Sequence, residues 1–318
     1  MSFFKMLIIS CCMALVSCAE KPVETLKIAI NPWPGYEFLY LAEKNGYFEQ
    51  LGMRLKLVQL SSLADVQRAY IAGRVDGMAS TLIEAVQATQ LSGRPVKVVL
   101  IPDYSNGGDV VIADKSISNV AALKGETVGV ELGSLGIYFL HRALSKAGIG
   151  LDDVTLVNIE QMDAAAAFQE GKMNAYVTYP PASIDLMKQA RFHKIFNSAE
   201  IPFEIIDTIS VSAAALERYP GFVIKLHQAW QMALDYAEKN PDEAHRIMGE
   251  REGISAEEFG TAVLDLAILD SDAQVEILWA AEKLEQSARD VCQVLFDIKS
   301  LEKPCDTMPD IVYRGKLK

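Results

Sequence analysis

Short apolar runs alternate with amphipathic stretches along the first third of the chain. Runs at residues 26–30, 53–59, 76–80 and 96–101 read as strands, and residues 37–45, 61–72 and 82–91 carry helical spacing. Asn45-Gly46 and Gly73 stop the first two helices, and Thr81 caps the third. Strand and helix alternating at this spacing predict parallel strands joined by crossover helices. The rhythm then restarts. Strands are expected at 109–113, 126–131, 154–158, 174–178 and 194–196. Helices are expected at 134–147, opened by Gly133-Ser134, at 163–170, capped by Asp163, and at 182–190.

Between the two sets lies IPDYSNGGDVVIA at 101–113. Pro102 removes a ladder donor and Gly107-Gly108 permit unusual backbone angles, so the chain can turn here. Asp103, Tyr104, Ser105, Asn106 and Asp109 give this crossing a dense set of polar side chains. Residues 207–213, short and β-branched, predict a return crossing. From residue 214 the pattern is helical, at 222–239, 241–248, 256–269 and 273–296, with Pro241 at a helix-initial position. The tail at 300–318 reads as irregular and surface-bound.

These elements predict an α/β chain with two lobes, one from residues 26–102 and 209–318 and the other from 108–205, joined by hinge segments at 103–107 and 206–208. Open parallel sheets bind ligands outside the carboxyl ends of their strands, and two such lobes enclose a cleft that closes by hinge motion. Residues 31–36, 61–62, 81–84, 102–106, 132–136, 161–162 and 179–180 then face the cleft.

Composition narrows the function. Of 318 residues, 50% are hydrophobic, enough for two cores. A net charge of −12 without a visible basic patch argues against a nucleic-acid partner. After Lys5, residues 6–17 form an apolar segment too short to span a bilayer stably, ending in Leu15-Val16-Ser17-Cys18. This resembles a bacterial lipoprotein signal at residues 1–17, with lipid on Cys18 and a tether at 18–25. A plain secretory signal is the alternative. Cleavage leaves Cys292 and Cys305, which can pair as a disulfide in an oxidising compartment. Neither they nor the four histidines show metal-ligand spacing, so no metal and no cofactor are expected.

Asn31-Pro32-Trp33-Pro34-Gly35-Tyr36-Glu37, then Leu41-Ala42-Glu43-Lys44-Asn45-Gly46-Tyr47-Phe48, open a series of motifs. Gly73-Arg74-Val75-Asp76-Gly77-Met78, residues 103–109, Leu123-Lys124-Gly125-Glu126-Thr127-Val128-Gly129-Val130 and Gly171-Lys172-Met173-Asn174-Ala175-Tyr176-Val177-Thr178 follow in order. Together they resemble the nitrate/sulfonate/taurine-type substrate-binding proteins of ABC importers. The resemblance implies a two-lobed type II periplasmic-binding fold with hinge crossings and a helical C-terminal end. It implies a receptor that hands a small solute to an inner-membrane permease; a monomer, held at the cell envelope by lipid on Cys18, is expected.

The better-known members of that family bind anions, and Ser134 at its helix start could serve an oxyanion. The other cleft positions offer no lysine or arginine. They offer Glu37, Glu84, Asp103 and Asp207, with Trp33, Tyr36, Tyr104, Tyr138 and Tyr179 beside them; Ser61, Thr81 and Asn106 complete the candidate set. Acids and aromatic rings favour an amine or a pyrimidine-like heterocycle. Simpler roles for the acids are a helix N-terminus for Glu37, a solvated helix face for Glu84 and a turn cap for Asp207. A sulfonate or taurine receptor, a sensory binding protein and a thiamine-pyrimidine-related enzyme are the alternatives. An enzyme is not expected, because no nucleophile elbow, P-loop, dinucleotide fingerprint or cysteine–histidine cluster is present in the sequence.

Overall fold

The computed structural model describes residues 25–279 and 281–317; the signal segment and Cys18 lie outside the described residues. β1 (Leu26–Ile30) leads through α1 (Glu37–Lys44) and α2 (Tyr47–Gln50) to β2 (Leu55–Gln59). Next come α3 (Leu63–Ile71), β3 (Gly77–Thr81), α4 (Leu82–Ser92), β4 (Val96–Leu100) and the crossing strand β5 (Asp103–Ser105). Ser62 caps α3 by accepting the Asp65 N–H, and Thr81 with Glu84 forms a capping box on α4.

The second set runs β6 (Val110–Asp114), β7 (Thr127–Val130), α5 (Leu135–Lys146), β8 (Thr155–Asn158), α6 (Ala164–Gln169), β9 (Ala175–Thr178), α7 (Ala182–Met187) and β10 (Phe192–Asn197). The chain returns on β11 (Asp207–Ser212). It ends in α8 (Ala213–Arg218), α9 (Phe222–Lys239), α10 (Pro241–Glu252), α11 (Ala256–Val263), β12 (Leu266–Ile268), α12 (Ser271–Trp279) and α13 (Ala281–Asp297).

Two five-stranded sheets result, ordered β2-β1-β3-β11-β4 and β10-β6-β9-β7-β8. Neither is wholly parallel. β11 runs antiparallel to β3 and β4, and β6 runs antiparallel to β9 and β10. The reason is topological. Each crossing starts at the carboxyl end of a strand and enters the other sheet from that same side, so the entering strand must run backwards.

Residues 207–212 are therefore a central strand rather than a crossing. The crossings themselves lie side by side: the Ser105 N–H donates to the Ile205 carbonyl at 2.9 Å, and Tyr104 bridges Ile206. β12 pairs with β5 from the other side, which ends the expected 256–269 helix at Val263. The expected 273–296 helix is two helices, with α12 packed on β4 and α9 and α13 packed on α4. The tail is not merely surface-bound. Leu301, Ile311, Val312 and Leu317 are buried, Val312 bridges Val98, and a Cys292–Cys305 disulfide ties α13 to it.

Candidate functional site

The loop after β1 lies against both crossings. The Trp33 indole N–H points at the Asp103 carboxylate, 3.4 Å from each oxygen, and the Tyr36 hydroxyl donates to Asp207. Gly35 makes this approach possible: a Cβ there would stand 1.9 Å from Asp103 Oδ2 and 2.9 Å from Trp33 Nε1. Asp103 on the outgoing crossing and Asp207 at the start of β11 are both buried and close enough to perturb each other's titration. Burial pushes Asp103 up to about 7 and holds Asp207 well above the carboxylate range, where the neighbouring Asp103 charge raises it further. Asp109 is raised by burial to about 7, and its Oδ2 has no hydrogen-bond partner.

Two more carboxylates cross the cleft. Glu84 Oε2 accepts the Thr81 N–H at 3.0 Å and the Thr81 hydroxyl at 2.6 Å, while its Oε1 accepts the Leu135 N–H of α5 at 2.6 Å. Glu131, directly after β7, accepts the Ala64 N–H of α3 at 3.4 Å. Each lobe thus places an acid on a helix N-terminus of the other, where free N–H groups and the helix dipole favour negative charge. Burial still raises both, Glu131 to about 7. Between these groups lies a cavity of about 10 Å³, room for about one water. Asn31, Trp33, Thr81, Asp109, Tyr179 and Asp207 are among its lining residues, and none of its lining is lysine, arginine or histidine.

The structure gathers Trp33, Tyr36, Thr81, Glu84, Asp103, Tyr179 and Asp207 of the sequence candidates around this cavity. It places others elsewhere. Alternation along β5 sends Tyr104 to the far side, against Phe203 with ring centroids 4.8 Å apart, and the Asn106 side chain is exposed. Tyr138 donates to Glu204, which pairs with Arg142. Glu37 is fully buried in an ion pair with Arg251, whose guanidinium lies 4.7 Å from the centre of the Tyr40 ring. The Ser134 hydroxyl donates to the Glu131 carbonyl and does not cap α5. Ser61 lines a larger outer chamber, which Tyr179 shares with the inner cavity.

The strand reading at 126–131 leaves Glu131 out of the candidate set. Its place at the carboxyl end of a parallel strand, two residues before a helix-opening Gly133-Ser134, is the signal that brings it in. Asn31 and Leu135 belong to segments expected at the cleft, yet neither has a side chain that draws notice.

Residues 33–244 match the family described as NMT1/THI5 like. An aliphatic sulfonates-binding protein of Escherichia coli (strain K12) is 28% identical over 166 residues, 51% of this chain and 51% of that protein, so the match spans about half that relative's length. A protein of the same description from Bacillus subtilis (strain 168) is 22% identical over 281 residues, 86% of this chain and 82% of that one. Among solved structures, the alkanesulfonate-binding protein SsuA from Xanthomonas axonopodis pv. citri, bound to MOPS, aligns with a TM-score of 0.74 at 18% identity. That alignment covers 93% of this chain and 100% of the other. The two-sheet α/β architecture is the fold of these periplasmic binding proteins.

Proposed function

The chain belongs to the NMT1/THI5-like family, and from that premise we propose that it is an extracytoplasmic solute receptor of an ABC importer. It captures a small organic solute between its lobes, closes about the paired crossings, which run side by side at Tyr104–Ser105 and Ile205–Ile206, and delivers the solute to an inner-membrane permease. Lipid on Cys18 would hold it, as a monomer, at the envelope. One observation carries this reading: Glu84 and Glu131 reach from opposite lobes onto each other's helices, so the buried polar surface of the cleft is complete only when the lobes meet. Ligand contacts that span the two lobes would favour that closed form.

The solute has two readings. The cleft chemistry favours an amine or a pyrimidine-like heterocycle. Asp103, Asp109, Asp207, Glu84 and Glu131 are buried there without a lysine or arginine in the inner lining. Nitrogen-bound hydrogens would meet the unpaired oxygens of Asp109, Asp207 and Glu131. The relatives' names give this no support. They favour the second reading, a sulfonate, since the proteins just compared are described by the sulfonates they bind. A sulfonate at the start of α5 would have to displace the Glu84 carboxylate from the Leu135 N–H, and the acids held protonated by burial would then serve as donors.

A thermal-shift screen of the protein from Ala19 onward decides between them, using polyamines, choline-like cations, pyrimidines, taurine, alkanesulfonates and nitrate. A ligand at a hundred times its Kd stabilises by about 2.7 kcal/mol. Protection by amines or heterocycles supports the first reading, and protection by sulfonates alone supports the second. No protection in any class removes the receptor reading.

A further inference from the structure

Outside the inner cavity, past Tyr179, lies a chamber of about 780 Å³ between the two lobes. That is the size of a site for a whole organic ligand. One wall is the turn from α10 into α11, residues 250–254, and the opposite wall comes from α6 and α7. An ion pair between Lys188 and Glu258, 2.9 Å long, joins the lobes near it, since Lys188 also pairs with the lining residue Asp185.

The charges of this chamber do not balance. Asp185 is paired with Lys188, Glu250 with Arg246, and Arg251 with Glu37. Glu252 alone among the charged lining residues has no direct partner: it is 8% exposed and neither carboxylate oxygen is hydrogen-bonded. It is also the last residue of α10, at the negative end of a helix dipole, where a carboxylate is disfavoured. Burial is the largest influence against its charge and the buried Glu37 adds to it, while Arg251 and the backbone N–H of Trp33 offset the two only in part. A group so placed, beside a cavity of ligand size, is complementary to a cation.

We propose that this chamber is a ligand compartment in its own right, in which Glu252 takes the ammonium or guanidinium group of a solute while Leu60, Ala164, Leu186 and Ile254 cover its apolar part. The proposal rests on the receptor reading and adds a second point of recognition to it, distinct from the acids of the inner cavity. A solute spanning both would carry a nitrogen-bearing head and an apolar body with a second positive group.

The test is isothermal titration of the soluble chain from Ala19 onward, as wild type and as Glu252→Gln. The probes are agmatine, phenethylamine, the neutral 2-phenylethanol and ethanesulfonate. The amines should bind wild type and lose affinity by about ten-fold or more in E252Q, the loss of one charge-assisted hydrogen bond. Any binding of the neutral or anionic probe should be unchanged. Without probe, E252Q should melt no lower than wild type, because a buried acid with no hydrogen-bond partner is replaced by a neutral group of the same shape. Amine affinity that is equal in the two proteins, with E252Q melting lower, would make Glu252 structural and overturn the proposal. Binding of ethanesulfonate but of neither amine would overturn it and leave the receptor reading intact. Binding of no probe here, and of no compound in the thermal screen, would overturn both.

Discussion

Glu84 and Glu131 are exchanged across the cleft: the first, from α4, holds the Leu135 N–H of α5, and the second, from the end of β7, holds the Ala64 N–H of α3. This exchange ties the lobes together through the same helix ends that would otherwise be open to a ligand oxyanion. Replacing both by Gln keeps their volume and removes the charge. The double variant should open, with a larger radius of gyration by small-angle scattering than wild type. Glu84→Ala alone also loses half of the capping box and should cost about 1–2 kcal/mol by denaturant unfolding. An unchanged radius in the double variant would mean that the lobes are held by other contacts.

Proton binding should follow the same geometry. Burial holds Asp103, Asp109 and Glu131 near 7, above their unfolded values of about 4. The folded chain therefore binds more protons than the unfolded chain between those two values. The stability contributed by these groups is full below about pH 4 and is lost as pH rises through about 7. Without ligand the protein should melt at a higher temperature at pH 5 than at pH 8. Opening hydrates the same acids, so scattering should show the open form gaining ground over that interval. A melting temperature that rises between pH 5 and pH 8 would contradict this account.

Gly35 makes a sharper prediction. Its Cα hydrogen faces the Asp103 carboxylate, and a methyl group there would collide at 1.9 Å with an oxygen that lies against Trp33 and Asp207. Gly35→Ala should cost about 1–3 kcal/mol through forced displacement and should abolish the stabilisation by whichever compound protects wild type. Gly150, whose added Cβ would meet nothing nearer than 3.9 Å, is the control and should tolerate Ala.

The Glu37–Arg251 pair binds α1 to α10 away from the inner cavity. Arg251→Ala leaves Glu37 buried without its cation and should destabilise by about 3–5 kcal/mol. Adding Glu37→Gln should recover a large part of that loss, as measured by urea unfolding of the single and double variants. Full additivity of the two changes would show that the pair does not act as a unit.

Periodicity and caps made the helices and parallel strands of residues 26–197 legible, because each depends on neighbours a few residues away. What stayed hidden depends on distant partners. β12 is three residues long and exists because β5 offers it an edge. The direction of β11 follows from the side on which the return crossing enters its sheet. The same applies within the site. Trp33, Tyr36 and Asp103 stand out by type, but the register of β5 decides that Asp103 faces inward and Tyr104 outward. Glu84 stands in a segment expected at the cleft, but its hold on the Leu135 N–H depends on α5 being brought against it, and Glu252 gains meaning only from its burial without a hydrogen-bond partner.

The most direct measurement is calorimetric titration of wild type and of an Asp103→Asn, Asp207→Asn variant with the amines, heterocycles and sulfonates of the screen. If the buried acids recognise the solute, an amine or heterocycle binds wild type and its affinity falls by about ten-fold or more in the variant, the worth of a charged hydrogen bond. A sulfonate that binds both proteins equally, with no amine bound by either, would contradict that account and assign recognition to the helix N-termini at Ala64 and Leu135.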